Sequence, residues 1–151
     1  VEAAMEQIAA IEILKEKAEA YGITVSPDLA EKLNIYAELL KEWNEKINLT
    51  AITDDEGIAV KHFLDCLLVS KAAQFKDGNR VIDVGTGAGF PGMVLKIVRD
   101  DLQITLIDSL NKRLVFLNDV IEKLGLTGIK TEHLRAEEAG KSKKFRESFN
   151  F

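Results

Sequence analysis

The stretch VIDVGTGAGF, residues 81–90, decides how this 151-residue chain folds. A β-branched run at residues 80–84 leads into a loop with glycine at positions 85, 87 and 89. This pattern predicts a buried strand, a tight glycine turn and then a helix, which the apolar spacing of residues 90–98 indicates. Because ligands of open parallel sheets bind at the carboxyl ends of strands, the loop is a candidate binding site.

Strand and helix patterns alternate after this loop. Residues 103–107 and 129–133 are typical of two further strands, and residues 110–124 of an amphipathic helix that ends at Gly125. The alternation predicts an α/β fold with a parallel sheet and right-handed crossovers. The apolar beat at residues 149–151 is typical of the beginning of a fourth strand. We therefore expect the chain to be a piece of a longer protein.

The first half of the chain has a helical period instead. Residues 3–21 carry apolar side chains at helical spacing, and a second helix is expected to begin at Ser26-Pro27-Asp28 and to run to about Lys46. Asp54 or Asp55 is placed to cap a third helix, or pair of helices, that reaches about residue 73.

A turn signal at residues 76–79, Lys-Asp-Gly-Asn, separates the two halves. It predicts an N-terminal helical subdomain, residues 1–75, and the first part of a cofactor-binding α/β domain, residues 76–151. The first 75 residues hold 7 basic and 14 acidic side chains, a balance of −7, whereas residues 76–151 hold 13 and 11, a balance of +2. The densest basic cluster, which is either a nucleic-acid contact or a solvated loop, consists of Lys141, Lys143, Lys144 and Arg146.

Composition excludes several classes of protein. An apolar fraction of 46% and a charged fraction of 30% are typical of a globular domain and exclude a disordered chain. No apolar run exceeds four residues, so no segment is expected to span a membrane. The single cysteine, Cys66, cannot form an internal disulfide and fits a reducing, cytoplasmic compartment. One cysteine and two histidines are too few for a zinc site, so no metal is expected.

The residues around the glycine loop restrict its ligand. A dinucleotide fingerprint has a third glycine where this chain has Phe90, and the Lys-Ser/Thr pair of a triphosphate loop is missing. Asp83, two residues before the first glycine, suits a cationic group and would repel a pyrophosphate. Asp108 ends the second strand, 23 residues after Gly85, where an acid suits ribose hydroxyls.

An amino acid, a positive centre and a ribose occur together in S-adenosylmethionine, which the loop and the two acids therefore favour as cofactor. Two plainer alternatives stay open. The loop can be a tight turn without a ligand, and Asp108 can be a cap for the helix that follows.

Beyond this loop, the chain resembles the small-subunit ribosomal RNA methyltransferase G family, also called glucose-inhibited division protein B. The resemblance covers nearly the whole chain from about Leu29 onward. It rests on ordered blocks of sequence, WNEKINLT at residues 43–50, KHFLD at 61–65, DVGTGAGFPG at 83–92, DSLNKR at 108–113 and RAEE at 135–138.

The resemblance implies a Rossmann-like S-adenosylmethionine-dependent methyltransferase sheet, truncated after about three strands, with the helical subdomain in front of it. It implies methyl transfer to N7 of one guanine in 16S ribosomal RNA, with ribosomal RNA or the small ribosomal subunit particle as partner. Two further readings stay open: a nicotinamide-dependent oxidoreductase of the same fold, and a non-catalytic RNA-binding module with a vestigial cofactor loop. The intact protein is expected to be the enzyme, and the 151-residue piece is expected to be inactive alone.

Carried over by motif, Gly85 and Phe90 contact the cofactor while Gly87 and Gly89 shape the loop. Asp108 meets the ribose and Ser109 lies beside the adenosine. Ala136 and Glu137 line the adenine site.

Guanine N7 carries a lone pair and no proton, so no general base is needed, and no catalytic residue is assigned. The work left to the enzyme is alignment of the reacting groups.

Five further residues have a structural interpretation, and some of them have a functional alternative as well. His62 is a packing or hydrogen-bonding residue or part of a pocket rim. Asn44 and Asn48 cap a helix or reach towards a cofactor. Cys66, among leucines, is expected to be a buried apolar residue rather than a nucleophile. His133, on the third strand, is expected to be structural.

Overall fold

A computed structural model describes residues 2–141, 149 and 151 of the chain. The chain divides into two compact units, Val1–Gln74 and Phe75–Phe151. The first unit is helical and the second contains the sheet.

The helical unit follows the apolar periods of its sequence. Its elements are α1 (Glu2–Ala20), α2 (Pro27–Asn44), α3 (Asp55–Gly57), a π-helical segment (Ile58–Leu64) and α4 (Asp65–Ala73). Both expected start signals are confirmed. Ser26 Oγ accepts a hydrogen bond from the Leu29 N–H at 3.1 Å, and Asp54 Oδ2 accepts one from the Gly57 N–H at 2.9 Å.

The end of α2 differs from the prediction by two residues, at Asn44 instead of about Lys46. The Asn44 side chain explains the difference, because its Oδ1 accepts hydrogen bonds from the Leu49 and Thr50 N–H groups. These bonds turn the backbone out of the helix directly after Asn44.

Residues 55–73 form one continuous helical run with a π-helical middle, where a helix or a pair of helices was expected. A π-helix has one extra residue per hydrogen-bonded ring and is rare, so an apolar pattern read at 3.6 residues per turn does not predict it.

The core of the helical unit includes one face of α2. Leu33, Tyr36 and Leu40 are fully buried, and the Tyr36 ring centroid lies 5.5 Å from that of Phe63. Trp43, near the end of α2, is half-buried, and the Lys46 Nζ lies 5.2 Å from its ring centroid.

The second unit is an α/β fold with a parallel sheet. Its strands are β1 (Arg80–Val84), β2 (Gln103–Asp108) and β3 (Ile129–His133), and its helices are α5 (Gly92–Val98), α6 (Asn111–Leu124) and α7 (Ala136–Lys141). The strand order is β1-β2-β3, with both pairs parallel. The α/β fold with a parallel sheet that the sequence predicts is confirmed, and the arrangement is consistent with a Rossmann-like methyltransferase sheet.

Strand β2 lies at the centre of the described sheet and is buried from Ile104 to Asp108. Apolar side chains of α5 and α6, among them Met93, Phe116 and Leu117, are fully buried as well. Because the strands are parallel, the ends of β1, β2 and β3 lie at one edge of the sheet, where each is followed by a loop.

Phe151 lies beside β1, on the side opposite β2. Its carbonyl accepts a hydrogen bond from the Ile82 N–H at 2.9 Å, and its N–H donates to the Arg80 carbonyl at 3.3 Å. This is the bonding of a parallel bridge. The Phe151 ring also meets the Phe75 ring edge-on, with centroids 4.7 Å apart.

At the opposite edge of the sheet, Lys96 of α5 is buried with only 2% of its surface exposed. Its ammonium donates to the carbonyl oxygens of Asp100 and Leu102, both at 2.6 Å. Burial lowers the pKa of Lys96, and the nearby charges of Asp100 and Asp101 oppose that shift. The lysine therefore holds the loop between α5 and β2 from inside.

Candidate cofactor site at the strand ends

Asp83, the fourth residue of β1, holds the glycine loop that follows it. Its Oδ2 accepts a hydrogen bond from the Thr86 hydroxyl at 2.7 Å and another from the Gly92 N–H at 2.9 Å. The two donors stand at the beginning and just past the end of the loop. The carboxylate therefore joins both sides of the turn.

Asp108, the last residue of β2, holds the same loop from the neighbouring strand. It is 2% exposed, and its Oδ2 accepts a hydrogen bond from the Gly87 N–H at 2.9 Å. Its Oδ1 accepts another from the Leu110 N–H at 2.9 Å. Arg113 stands farther away, with Nη1 3.4 Å from Oδ2 and 3.5 Å from Oδ1.

The alternative that Asp108 is the N-cap residue of the following helix is wrong. The residue at the N-cap position of α6 is Leu110, and no side chain caps that helix end. Asp108 instead fixes the short segment before α6, because its Oδ1 accepts a hydrogen bond from the Leu110 N–H.

The loop's own N–H groups are used within the protein. Those of Gly85 and Thr86 donate to the Ile107 carbonyl at 2.9 and 3.0 Å. Those of Gly89 and Phe90 donate to the Thr86 carbonyl at 2.9 and 3.3 Å, and Gly87 donates to Asp108. Phosphate-binding loops offer such N–H groups to the ligand. In this loop, these five N–H groups are already hydrogen-bonded within the protein.

The backbone at Gly85 and Gly87 is open to a ligand. Their φ angles are +69° and +59°, in the left-handed region that favours glycine. A Cβ built on either residue would meet no atom within 4 Å. Gly92 is the opposite case, since a Cβ there would overlap the side chains of Leu106 and Asp83.

The two carboxylates make the end of the sheet electronegative. Burial raises the pKa of Asp83 above its ordinary value, the hydrogen bonds from Thr86 and Gly92 oppose the rise, and the charge of Asp108 adds to it. A cation placed beside Asp83 would relieve this cost, whereas an anion would increase it.

The remaining candidate residues lie along the same edge. Ser109 is exposed, and its carbonyl accepts a hydrogen bond from His133 Nε2 at 2.8 Å, which gives the histidine the structural contact expected of it. Ala136 and Glu137 are exposed at the beginning of α7, just after β3. The Leu134 N–H donates to the Asp108 carbonyl at 3.2 Å, which ties this segment to the end of β2.

Sequence reasoning missed three residues that shape the site. Thr86 and Gly92 are hydrogen-bonded to Asp83, and Arg113 faces Asp108. The spacing of Asp83 and Thr86, three residues across a turn, was a usable signal. Arg113 lies in the first turn of α6, five residues after Asp108, where a basic side chain can reach back to that carboxylate.

Within the helical unit, the prediction that the side chains of Asn44 and His62 make hydrogen bonds is confirmed. Asn44 binds the backbone of residues 49 and 50, and His62 Nε2 lies 2.8 Å from Thr50 Oγ1. Burial lowers the pKa of His62, with the charge of Asp65 opposing the shift. Cys66 is buried, as expected.

Parts of the expected site are not described. Lys143, Lys144 and Arg146 of the basic cluster lie outside the described residues, as does the side chain of Lys141. In the described part of the chain, no three His, Cys, Asp or Glu side chains come together as a metal site. None of the helices described there has both the length and the apolar character that crossing a membrane requires.

Comparison with known proteins gives one consistent result. The family model described as "rRNA small subunit methyltransferase G" matches residues 29–148. A protein of that name from Clostridium perfringens strain 13 is 52% identical over 139 residues, which is 92% of this chain and 58% of the relative. Another from Thermoanaerobacter sp. strain X514 is 49% identical over 93% of this chain and 58% of the relative. The chain thus spans about 58% of the length of the curated relatives that it matches.

Proposed function

This chain belongs to the rRNA small subunit methyltransferase G family, and from that membership we propose that the protein is an S-adenosylmethionine-dependent methyltransferase. Its proposed substrate is N7 of a guanine in 16S ribosomal RNA, with ribosomal RNA or the small ribosomal subunit particle as partner. Work on ribosomal RNA would place it in the cytoplasm.

The observation that carries the choice of cofactor is the occupied backbone of the glycine loop. Five of its N–H groups are already hydrogen-bonded, and two carboxylates, Asp83 and Asp108, stand behind it. The two carboxylates would repel a pyrophosphate, and few N–H groups of the loop are left to donate to it. Both facts weigh against a nicotinamide dinucleotide. A ligand with an ammonium group and a sulfonium centre would find acceptors.

Each candidate residue has a proposed task. Asp83 accepts from the ammonium group of the cofactor, and Gly85 and Gly87 let the cofactor approach the backbone. Phe90 contacts the cofactor beside the loop, which Gly89, buried and with a φ of +96°, helps to shape.

Asp108 already has two N–H donors, so the ribose hydroxyls would take the positions that Arg113 now occupies at 3.4 and 3.5 Å. Those bonds are long, and the Arg113 side chain is 34% exposed, which makes exchange with a ligand inexpensive. Ser109, Ala136 and Glu137 line the adenosine side.

When bound, S-adenosylmethionine would supply a methyl group on a positively charged sulfur: the lone pair of guanine N7 would form the N–CH₃ bond as the S–CH₃ bond breaks, with that electron pair left on a neutral thioether sulfur and no base needed. The residues of this chain are thus asked to bind and to align rather than to move a proton. Carboxylates and open glycines, which the described part of the site offers, suit binding and alignment.

The proposal is tested by calorimetric titration of Gly87→Ala against Gly125→Ala. The two glycines have φ angles of +59° and +62° and open space around a built Cβ, so the strain of alanine is the same in both. Both variants should lose similar stability. Only Gly87→Ala should lose S-adenosylmethionine affinity, by tenfold or more.

Equal affinities in the two variants would remove the loop from the cofactor site. Binding of NAD without binding of S-adenosylmethionine would favour the oxidoreductase, and binding of neither, with RNA still bound, would favour the non-catalytic module. The reaction itself is checked on a chain of the relatives' full length, by mass spectrometry of 7-methylguanosine in small-subunit particles.

A further inference from the structure

The helical unit contains a cavity of about 380 Å³ that the cofactor site does not use. It lies where α2 ends, against the loop at residues 45–54, and its apolar wall includes Leu40, Ile52 and Ile58. Its volume falls within the range of about 300–1,000 Å³ that is typical of small-molecule sites. Ile58 begins the π-helical segment, and such segments are frequent at functional sites.

The polar wall of this cavity is fixed before any ligand arrives. Asn44 Oδ1 accepts hydrogen bonds from the Leu49 and Thr50 N–H groups at 2.8 and 3.0 Å. Thr50 Oγ1 accepts from the Ile52 N–H at 3.1 Å and lies 2.8 Å from His62 Nε2. The loop that closes the cavity is therefore held at Leu49, Thr50 and Ile52.

Two neighbouring side chains on this wall offer complementary polar groups. Both hydrogen bonds of Asn44 use its Oδ1, so its amide NH₂ is the group that remains to face a ligand. Across residues 2–141, 149 and 151, the Glu45 carboxylate has no ion-pair partner. Lys41, also on the wall, is neutralised by Asp55 at 2.7 Å.

A flat, uncharged heterocycle would satisfy this set of groups. Its edge should present one acceptor to the amide and two adjacent N–H donors to the carboxylate, and its faces should rest on apolar side chains. Guanine has that edge, with O6 beside N1–H and the N2 amino group. Adenine would direct the lone pair of its N1 at the carboxylate. Unpaired bases are commonly recognised through this edge and through apolar contact.

We propose that this cavity binds one unpaired guanine base of RNA, with Asn44 donating to O6 and Glu45 accepting from N1–H and N2–H. The choice of an RNA base among flat heterocycles rests on the function proposed above. Held in this way, the base keeps the N7 atom itself free of these contacts.

The experiment titrates the chain with guanosine, inosine and adenosine, without cofactor, and follows amide shifts by nuclear magnetic resonance. Guanosine should bind most tightly. Inosine, which lacks the N2 amino group, and adenosine should each bind about tenfold or more weakly, because a hydrogen bond to a charged acceptor is lost.

Two variants isolate the two contacts. Asn44→Asp keeps an acceptor for the loop and removes the NH₂ donor, and Glu45→Gln keeps the shape and removes the charge. Each should weaken guanosine binding by about tenfold or more with the melting temperature retained. Glu42→Gln is the matched control, because Glu42 lies on the same helix, exposed and outside the cavity wall. It should bind guanosine as the parent does.

Equal binding of guanosine and adenosine, absent guanosine binding, or unchanged affinity in Glu45→Gln would each overturn the inference. The same variants titrated with S-adenosylmethionine separate it from the proposed function. Guanosine binding without S-adenosylmethionine binding contradicts the proposed function alone, and the reverse result contradicts this inference alone.

Discussion

Two irregular segments of this molecule are held in place by different chemistry. The loop at residues 85–91 after β1 is fixed by two carboxylates, Asp83 and Asp108, whereas the loop at residues 45–54 after α2 is fixed by a neutral amide and a hydroxyl, those of Asn44 and Thr50. Hydrogen bonds to charged acceptors contribute about 1.5–3 kcal/mol and neutral ones about 0.5–1.5 kcal/mol. The carboxylate-held loop should therefore be the costlier one to disturb.

The largest effect is expected from Asp108→Ala. It leaves the N–H groups of Gly87 and Leu110 without their acceptor, at about 1–3 kcal/mol for each donor that stays unpaired. Urea denaturation should show the loss. Asp108→Asn, which keeps one acceptor oxygen, should lose less. If Asp108→Ala unfolds at the parent's urea concentration, the carboxylate does not hold the loop.

A smaller effect is expected from Asn44→Ala. It also removes the acceptor of two N–H groups, those of Leu49 and Thr50, but the acceptor is neutral and half-buried, so water can replace it in part. We expect a loss of about 1 kcal/mol in the same urea experiment. A loss as large as that of Asp108→Ala would show that charge is not what distinguishes the two loops.

The pH dependence of the first loop is carried by Asp83. Since burial raises its pKa, the folded chain binds the proton more tightly than the unfolded chain does. Its contribution to stability is therefore present below the unfolded pKa of about 3.9 and is lost as pH rises through the folded pKa. Asp83→Asn should flatten this decline in urea midpoints measured from pH 4 upward. An identical slope in the variant would assign the decline to another group.

The second loop should respond to pH with the opposite sign, through His62. Burial lowers its pKa, so the folded chain binds the proton less tightly than the unfolded chain does. Stability should fall as pH drops below the unfolded value of about 6.5. In His62→Gln the urea midpoints between pH 7 and pH 5 should vary less than in the parent, and a steeper fall would contradict the assignment.

The strands and most helix ends could be predicted from the sequence because their signals are local. The β-branched run at residues 80–84, the cap at Ser26 and the glycine at position 125 each act within a few residues. The family resemblance, which rests on short ordered blocks, is confirmed by the match over residues 29–148.

The rest depends on contacts that no local pattern contains. Asp108 and Gly87 lie 21 residues apart in the chain, and only the register of two parallel strands brings them together. The end of α2 at Asn44 depends on hydrogen bonds that the Asn44 side chain accepts from N–H groups five and six residues later. The roles assigned to the nine candidate cofactor residues remain predictions, and the titration of Gly87→Ala tests the one for Gly87.

The buried ammonium of Lys96 has a practical consequence for watching this fold open. An amine-specific acylating reagent reaches an exposed lysine at once, but it reaches Lys96 only after the carbonyls of Asp100 and Leu102 have released it. The rate at which Lys96 acquires the label, followed by peptide mass spectrometry, therefore reports how often the sheet unit opens at that edge. The native side chain of Lys96 thus reports local opening, and no residue has to be replaced to provide a labelling site.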